Sequence, residues 1–204
     1  MDGLLRLRMG EIQLNGSIQS RLQNKVLKFS PNDQKKILHK SLELIDEEFL
    51  NDLKILLKNP IGVDKYLKKR TRVIDKALTK RFSEHGLSSR YILCAIGGYG
   101  REELFPASDI DLTIIDQDPK KKPEEELNNF ISWLWDQNFK VGHSVRSVSA
   151  MQKLARNDLQ EYTSLLSIRV LSGSKKNITA FNRDLKALHK NCLLYTSPSP
   201  RDIS

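Results

Sequence analysis

Gly97-Gly98-Tyr99-Gly100-Arg101-Glu102-Glu103-Leu104-Phe105-Pro106-Ala107-Ser108-Asp109-Ile110-Asp111-Leu112-Thr113-Ile114-Ile115 is the stretch whose reading decides the fold. Tyr91 to Ile96 leads into it, a short unbroken apolar run bounded by glycine, which predicts a buried strand. Gly97 and Gly98 let the backbone turn tightly and approach a ligand closely, because no Cβ intervenes. Pro106 breaks any helix in the polar link that follows. Ile110 to Ile115 predicts a second buried strand. Asp109 and Asp111 stand at its start, two residues apart, so strand geometry points both carboxylates to one face.

Two carboxylates on one face beside a glycine turn suit a metal–nucleotide complex. Mg²⁺ takes oxygen ligands, commonly one or two carboxylates plus substrate phosphates. The turn can hold phosphates through backbone N–H groups. Such a site aims the α-phosphorus of a nucleoside triphosphate at a nucleophile for metal-assisted in-line displacement. Taken singly, Gly-Gly is a turn and Asp-x-Asp is a solvated strand end. The ordered combination of strand, glycine turn, polar link and Asp-x-Asp strand is the specific signal.

These residues carry a resemblance. Gly97-Gly98-Tyr99-Gly100-Arg101 through Ser108-Asp109-Ile110-Asp111-Leu112 resembles the nucleotidyltransferase signature of the bacterial PII uridylyltransferase/uridylyl-removing enzymes, members of the polymerase-β-like nucleotidyltransferase superfamily. Leu134-Trp135-Asp136 through Val141-Gly142-His143-Ser144-Val145-Arg146 is similar to the same family. So are Thr163-Ser164-Leu165-Leu166 and Arg169-Val170-Leu171-Ser172-Gly173. The resemblance implies an α/β (α+β) fold: a small mixed sheet of the polymerase-β-like type with flanking helices and an N-terminal helical segment. It implies transfer of UMP from UTP to a tyrosine of nitrogen-regulatory protein PII in the cytoplasm, with Mg²⁺ or Mn²⁺ as cofactor. Asp109 and Asp111 would be catalytic and hold the metal. Gly97, Gly98, Arg101 and Ser108 would bind nucleotide, with Arg101 steadying the triphosphate. Many members of the superfamily carry a third carboxylate on the third strand, where this chain has Gly142 and His143. His143 is a candidate for proton handling or substrate contact, or else a hydrogen-bonded strand histidine. The HD phosphohydrolase and ACT regions of the family have no counterpart in this sequence, so the resemblance implies the transferase part only. A different protein or small-molecule nucleotidyltransferase, and a catalytically silent fragment with an interaction role, are the alternative readings.

Length and composition agree with a modest globular chain. The 204 residues carry net charge +9, and the lysines are spread with little aromatic interleaving. That pattern reads as solvated helix faces and provides no stacking platform for nucleic acid. No apolar run spans a bilayer, and Met1 to Arg8 does not read as a signal peptide. Cys94, in a buried strand, predicts a free thiol in a reducing compartment.

The expected division is an N-terminal helical segment over 1–86, a nucleotidyltransferase core over 87–150, a helical extension over 151–192 and a non-native or disordered tail over 193–204. Ser30-Pro31-Asn32-Asp33 starts a helix with Leu38, Leu42, Ile45, Phe49 and Leu53 on one face, which Asn59-Pro60 ends. A second helix is expected from about Val63 to His85, before Gly86. A loop at 118–123 precedes a helix whose buried stripe is Leu127, Phe130, Ile131, Leu134 and Trp135. Lys140 to Val148 predicts the third strand. Ser149 is expected to cap the next helix, Asp158 to Leu171 to be helical, and Asn177 to Lys190 to form the last amphipathic helix.

Overall fold

A computed structural model describes residues 31–51 and 60–193. The apolar run after Arg90 forms β1 (Tyr91–Ala95), buried at every position. The run after Asp109 forms β2 (Ile110–Asp116), buried at all but Asp111. The two pair antiparallel, with Ala95 opposite Leu112 and Tyr91 opposite Asp116. Strands buried on both faces read as continuous apolar runs, which is why both were legible. β3 (Val141–Ser147) joins β2 in parallel, placing Gly142 opposite Asp111 and Ser144 opposite Thr113. A parallel pair requires a crossover, here made with α4 (Glu125–Trp135). β4 (Arg169–Ser172) pairs antiparallel with the free side of β1. The result is a four-stranded mixed sheet in the order β3-β2-β1-β4, the expected α/β architecture.

Helices cover both faces. α1 (Pro31–Asn51) and α2 (Pro60–Glu84) precede the sheet, and α3 (Gly97–Gly100) is a single turn between β1 and β2. Pro60 opens α2, where its missing N–H costs nothing. Ser30, Leu53 and Asn59 lie outside the described residues, as do the side chain of Phe49 and residues 194–204 of the expected tail, whose first residue, Leu193, ends the last helix. Within the unit Lys40–Ser204, Asp46 of α1 accepts from Tyr66 Oη at 2.8 Å and pairs with Arg70. Phe82 of α2 meets Phe130 of α4 edge-to-face at 5.2 Å. On the opposite face, α5 (Val148–Asn157), α6 (Leu159–Leu166) and α7 (Lys175–Leu193) bury Met151, Ala155, Tyr162, Leu165, Phe181 and Leu188 against Ile92, Cys94 and Ile115. Arg90 forks onto Asp116 at 2.9 and 2.8 Å and donates to the carbonyls of Asp118, Lys121 and Lys122, closing the 118–122 loop onto the end of β2.

Three local expectations need correction. The segment 158–171 is not one helix: α6 stops at Leu166 and β4 begins at Arg169. Four residues are too few to show a period, and the open edge of β1 supplies the ladder that makes them a strand. Ser147, not Ser149, caps α5, its Oγ accepting from Ala150 N at 3.2 Å. Trp135 is not core; it ends α4 and is 60% exposed. Among the described residues, no helix is long and apolar enough to cross a membrane.

Candidate active site

β1 delivers the chain to Ile96, the extended N-cap of α3, and Gly97 then adopts φ +61°. That left-handed angle strains residues that carry a Cβ. A Cβ on Gly97 would stand 3.4 Å from Asp111 Oδ2, and one on Gly142 would stand 2.6 Å from Asp111 Oδ1. The Asp111 carboxylate therefore lies in a slot between two glycines, one from the turn and one from the neighbouring strand. The third strand therefore presents a glycine to Asp111, and a side chain at position 142 has no room unless Asp111 moves. Gly100 is constrained differently: its Cβ would fall 2.0 Å from Ser167 O and 3.1 Å from Ala95 O. Gly98 has ordinary room, with Glu103 O the nearest protein atom to its Cβ at 3.7 Å.

Asp109 is exposed and Asp111 half-buried. Burial and, after it, the negative charge of Asp109 hold the Asp111 carboxyl above its usual range, with no cation of the described chain to draw it back. Two neighbouring carboxylates with uncompensated charge fit a hard divalent cation. Among the described residues no three His, Cys, Asp or Glu side chains gather into a ligand set. A cation here would rest on the two aspartates, with phosphate and water oxygens filling the shell, as Mg²⁺ accepts.

A cavity of about 380 Å³ opens beside Asp111, between the β2–β3 face and α6. Thr113, Ser144, Arg146, Gln160, Glu161 and Ser164 furnish its polar lining. Ser144 Oγ donates to Thr113 Oγ1 at 3.1 Å. Arg146 forks onto Glu161 at 2.6 and 3.0 Å, and Asp158 caps α6 through Gln160 N and Glu161 N.

The other candidates are placed as follows. Arg101 is exposed beside the turn, its Nε on Glu103 at 2.7 Å. Ser108 lines a second cavity of about 210 Å³ with Arg70, Ile74 and Lys140, apart from the Asp111 cavity. His143 borders the larger cavity. Alternation along β3, however, puts its ring on the side opposite Gly142 and Ser144, where it meets Trp135 edge-to-face at 5.6 Å. The structure thus brings together Gly97, Asp109 and Asp111, sets Ser108 along the second cavity and turns the His143 ring to the other side of β3.

Sequence reasoning missed the groups that hold the turn. Tyr99 of α3 is buried and donates to Asp75 Oδ1 of α2 at 2.7 Å. Arg169 of β4 pairs with Asp75 at 2.7 and 3.2 Å. The same guanidinium donates to Tyr99 O and Gly100 O, each at 3.2 Å. Arg169 falls within a segment that resembles the family, which was a signal. Asp75 gave none, being one polar residue on a long helix.

No family model matches the chain. It is similar to proteins named bifunctional uridylyltransferase/uridylyl-removing enzyme. The one from Haemophilus influenzae (strain PittEE) is 34% identical over 145 residues, 70% of this chain and 17% of the relative. That of Pseudoalteromonas translucida is 35% identical over 153 residues, 71% of this chain and 17% of the relative. That of Acinetobacter baylyi is 42% identical over 108 residues, 52% of this chain and 12% of the relative. The chain thus spans about a sixth of the length of the first two of these curated relatives. A solved structure described as a toxin–antitoxin with AMP-PNP aligns at TM-score 0.39 and 13% identity, over 58% of this chain and 88% of that one. That likeness is too slight to bear on the site.

Proposed function

The chain is homologous to part of the bifunctional uridylyltransferase/uridylyl-removing enzymes, and on that premise we propose that it is a nucleotidyltransferase module transferring UMP from UTP to a tyrosine of nitrogen-regulatory protein PII. The observation that carries this reading is the Asp111 carboxylate, held between Gly97 and Gly142 with Asp109 beside it. In the proposed site Asp109 and Asp111 hold Mg²⁺ or Mn²⁺. When bound, the cation neutralises phosphate charge and stabilises the attacking and leaving oxygens of in-line displacement. Gly97 and Gly98 let the backbone close on the phosphates. Arg101 can leave Glu103 for the triphosphate at little cost, because an exposed ion pair is worth only about 0–1 kcal/mol.

Charge orients the nucleotide. Beyond Asp111, Asp158 and Glu161 outnumber Arg146 around the cavity, so the anionic triphosphate belongs on the turn side with the cation. The uncharged nucleoside belongs in the cavity, where hydroxyl and amide side chains offer hydrogen bonds.

The test is incubation of the purified chain with PII, Mg²⁺ and UTP, followed by mass spectrometry. A UMP adduct on a PII tyrosine, absent with Asp109→Asn or Asp111→Asn, is expected. Transfer from ATP in preference to UTP would shift the reading to an adenylyltransferase. Folded chain that transfers neither nucleotide would reject it.

A further inference from the structure

The polar bonds around Tyr99 all converge on one four-residue turn. Asp75 comes from α2 and Arg169 from β4, elements 94 residues apart along the chain. Arg169 also donates to two consecutive carbonyls of the turn, Tyr99 O and Gly100 O. Its guanidinium also lies over the Tyr99 ring, 5.4 Å from the centroid. The opposite end of the turn is Gly97, where an added Cβ would stand 3.4 Å from Asp111 Oδ2. Burial raises the Tyr99 phenol well above its usual range, so it stays a neutral donor to Asp75. A four-residue turn has little cohesion of its own, and its place relative to Asp111 is set from outside.

We infer that Asp75 and Arg169 are positioning residues: together with the Tyr99 hydroxyl they clamp the glycine turn at its working distance from Asp109 and Asp111. A guanidinium suits this role because its planar fork can serve a carboxylate and two carbonyls at once, which an ammonium cannot. The clamp has a functional meaning only if the turn binds phosphate, and to that extent it rests on the function proposed above.

The experiment compares the full chain with Arg169→Lys, Arg169→Gln, Asp75→Asn and Tyr99→Phe. It reads backbone hydrogen exchange at residues 97–101 together with the Kd for Mg²⁺–UTP. Arg169→Gln and Asp75→Asn are expected to raise exchange at 97–101 at least tenfold and to weaken Mg²⁺–UTP about tenfold. Exchange in β1 and β2 should stay near the parental rate. Arg169→Lys keeps the charge but not the fork, and should leave the turn exchanging fast. Tyr99→Phe removes one hydroxyl and should give a smaller change in the same direction. If Arg169→Gln does not fold, the lysine, asparagine and phenylalanine variants decide by the same two readings. Parental exchange at 97–101 in Arg169→Lys and Asp75→Asn would overturn the clamp, as would acceleration spread evenly over the whole sheet. If the parental chain binds no Mg²⁺–UTP, the proposed function fails, while the exchange data alone still uphold or reject the clamp.

Discussion

Each glycine near the site is glycine for a different reason, and substitutions separate the reasons. Gly142→Ala pushes a Cβ against the tip of a side chain, which can swing away, so the fold should survive while Asp111 is displaced. The expected outcome is a melting temperature close to parental with at least tenfold weaker Mg²⁺–UTP binding in calorimetry. Gly98→Ala meets no protein atom closer than ordinary contact and should leave stability unchanged. Gly100→Ala drives a Cβ into the fixed carbonyl of Ser167 and should destabilise by about 1–3 kcal/mol in denaturant unfolding. Asp111 carries a prediction about pH. Its carboxyl is raised in the folded chain, so between its ordinary pKa of 3.8 and the raised folded value the unfolded state has already lost the proton that the native state keeps. Stability of the metal-free chain therefore falls as pH rises through that window, and stays lower above it. Asp111→Asn should be at least as stable as the parent at neutral pH without metal, with the difference vanishing below the ordinary carboxylate range. Carboxyl titration by NMR should also show the Asp111 pKa falling, though not fully to normal, in Asp109→Asn, because burial is the larger cause.

At the scale of elements, α6 both walls the cavity and depends on one cap. Asp158 accepts from Gln160 N at 2.8 Å and Glu161 N at 3.2 Å. Replacing it with Ala should cost about 1 kcal/mol, a drop of roughly 2–4 °C for a domain of this size, measured by thermal unfolding. β1, β2, β3 and α4 to α7 were legible wherever periodicity or an apolar run exceeded one turn or a few strand residues. β4 was not: Arg169-Val170-Leu171-Ser172 is a strand because β1 has an unpaired side, with Cys94 opposite Val170 and Ala95 opposite Arg169. Trp135 failed the other way. Its helical spacing placed it on the apolar stripe, yet α4 ends at that residue, so the ring projects past the core toward His143.

At the scale of the molecule, the sheet core is closed to reagents until it unfolds. Cys94 is wholly buried among Ile92, Ile115 and the α5–α7 side chains, and burial pushes its thiol up to about 12. Iodoacetamide labelling of the Cys94 peptide should therefore follow global unfolding across a denaturant series; labelling at a rate insensitive to denaturant would mean local opening of β1. By itself the sequence determined the two buried strands, the glycine turn between them and the place of Asp109 and Asp111 at the start of the second strand, because apolar runs and glycine are local properties. It determined the central part of the nucleotidyltransferase resemblance for the same reason, since those signals lie within 19 consecutive residues. Only the tertiary structure decided that Gly142, and not His143, faces Asp111, and that Asp75 and Arg169 grip the turn. These are matters of register between strands and of contacts between elements distant in the chain, and no periodicity within one segment encodes them.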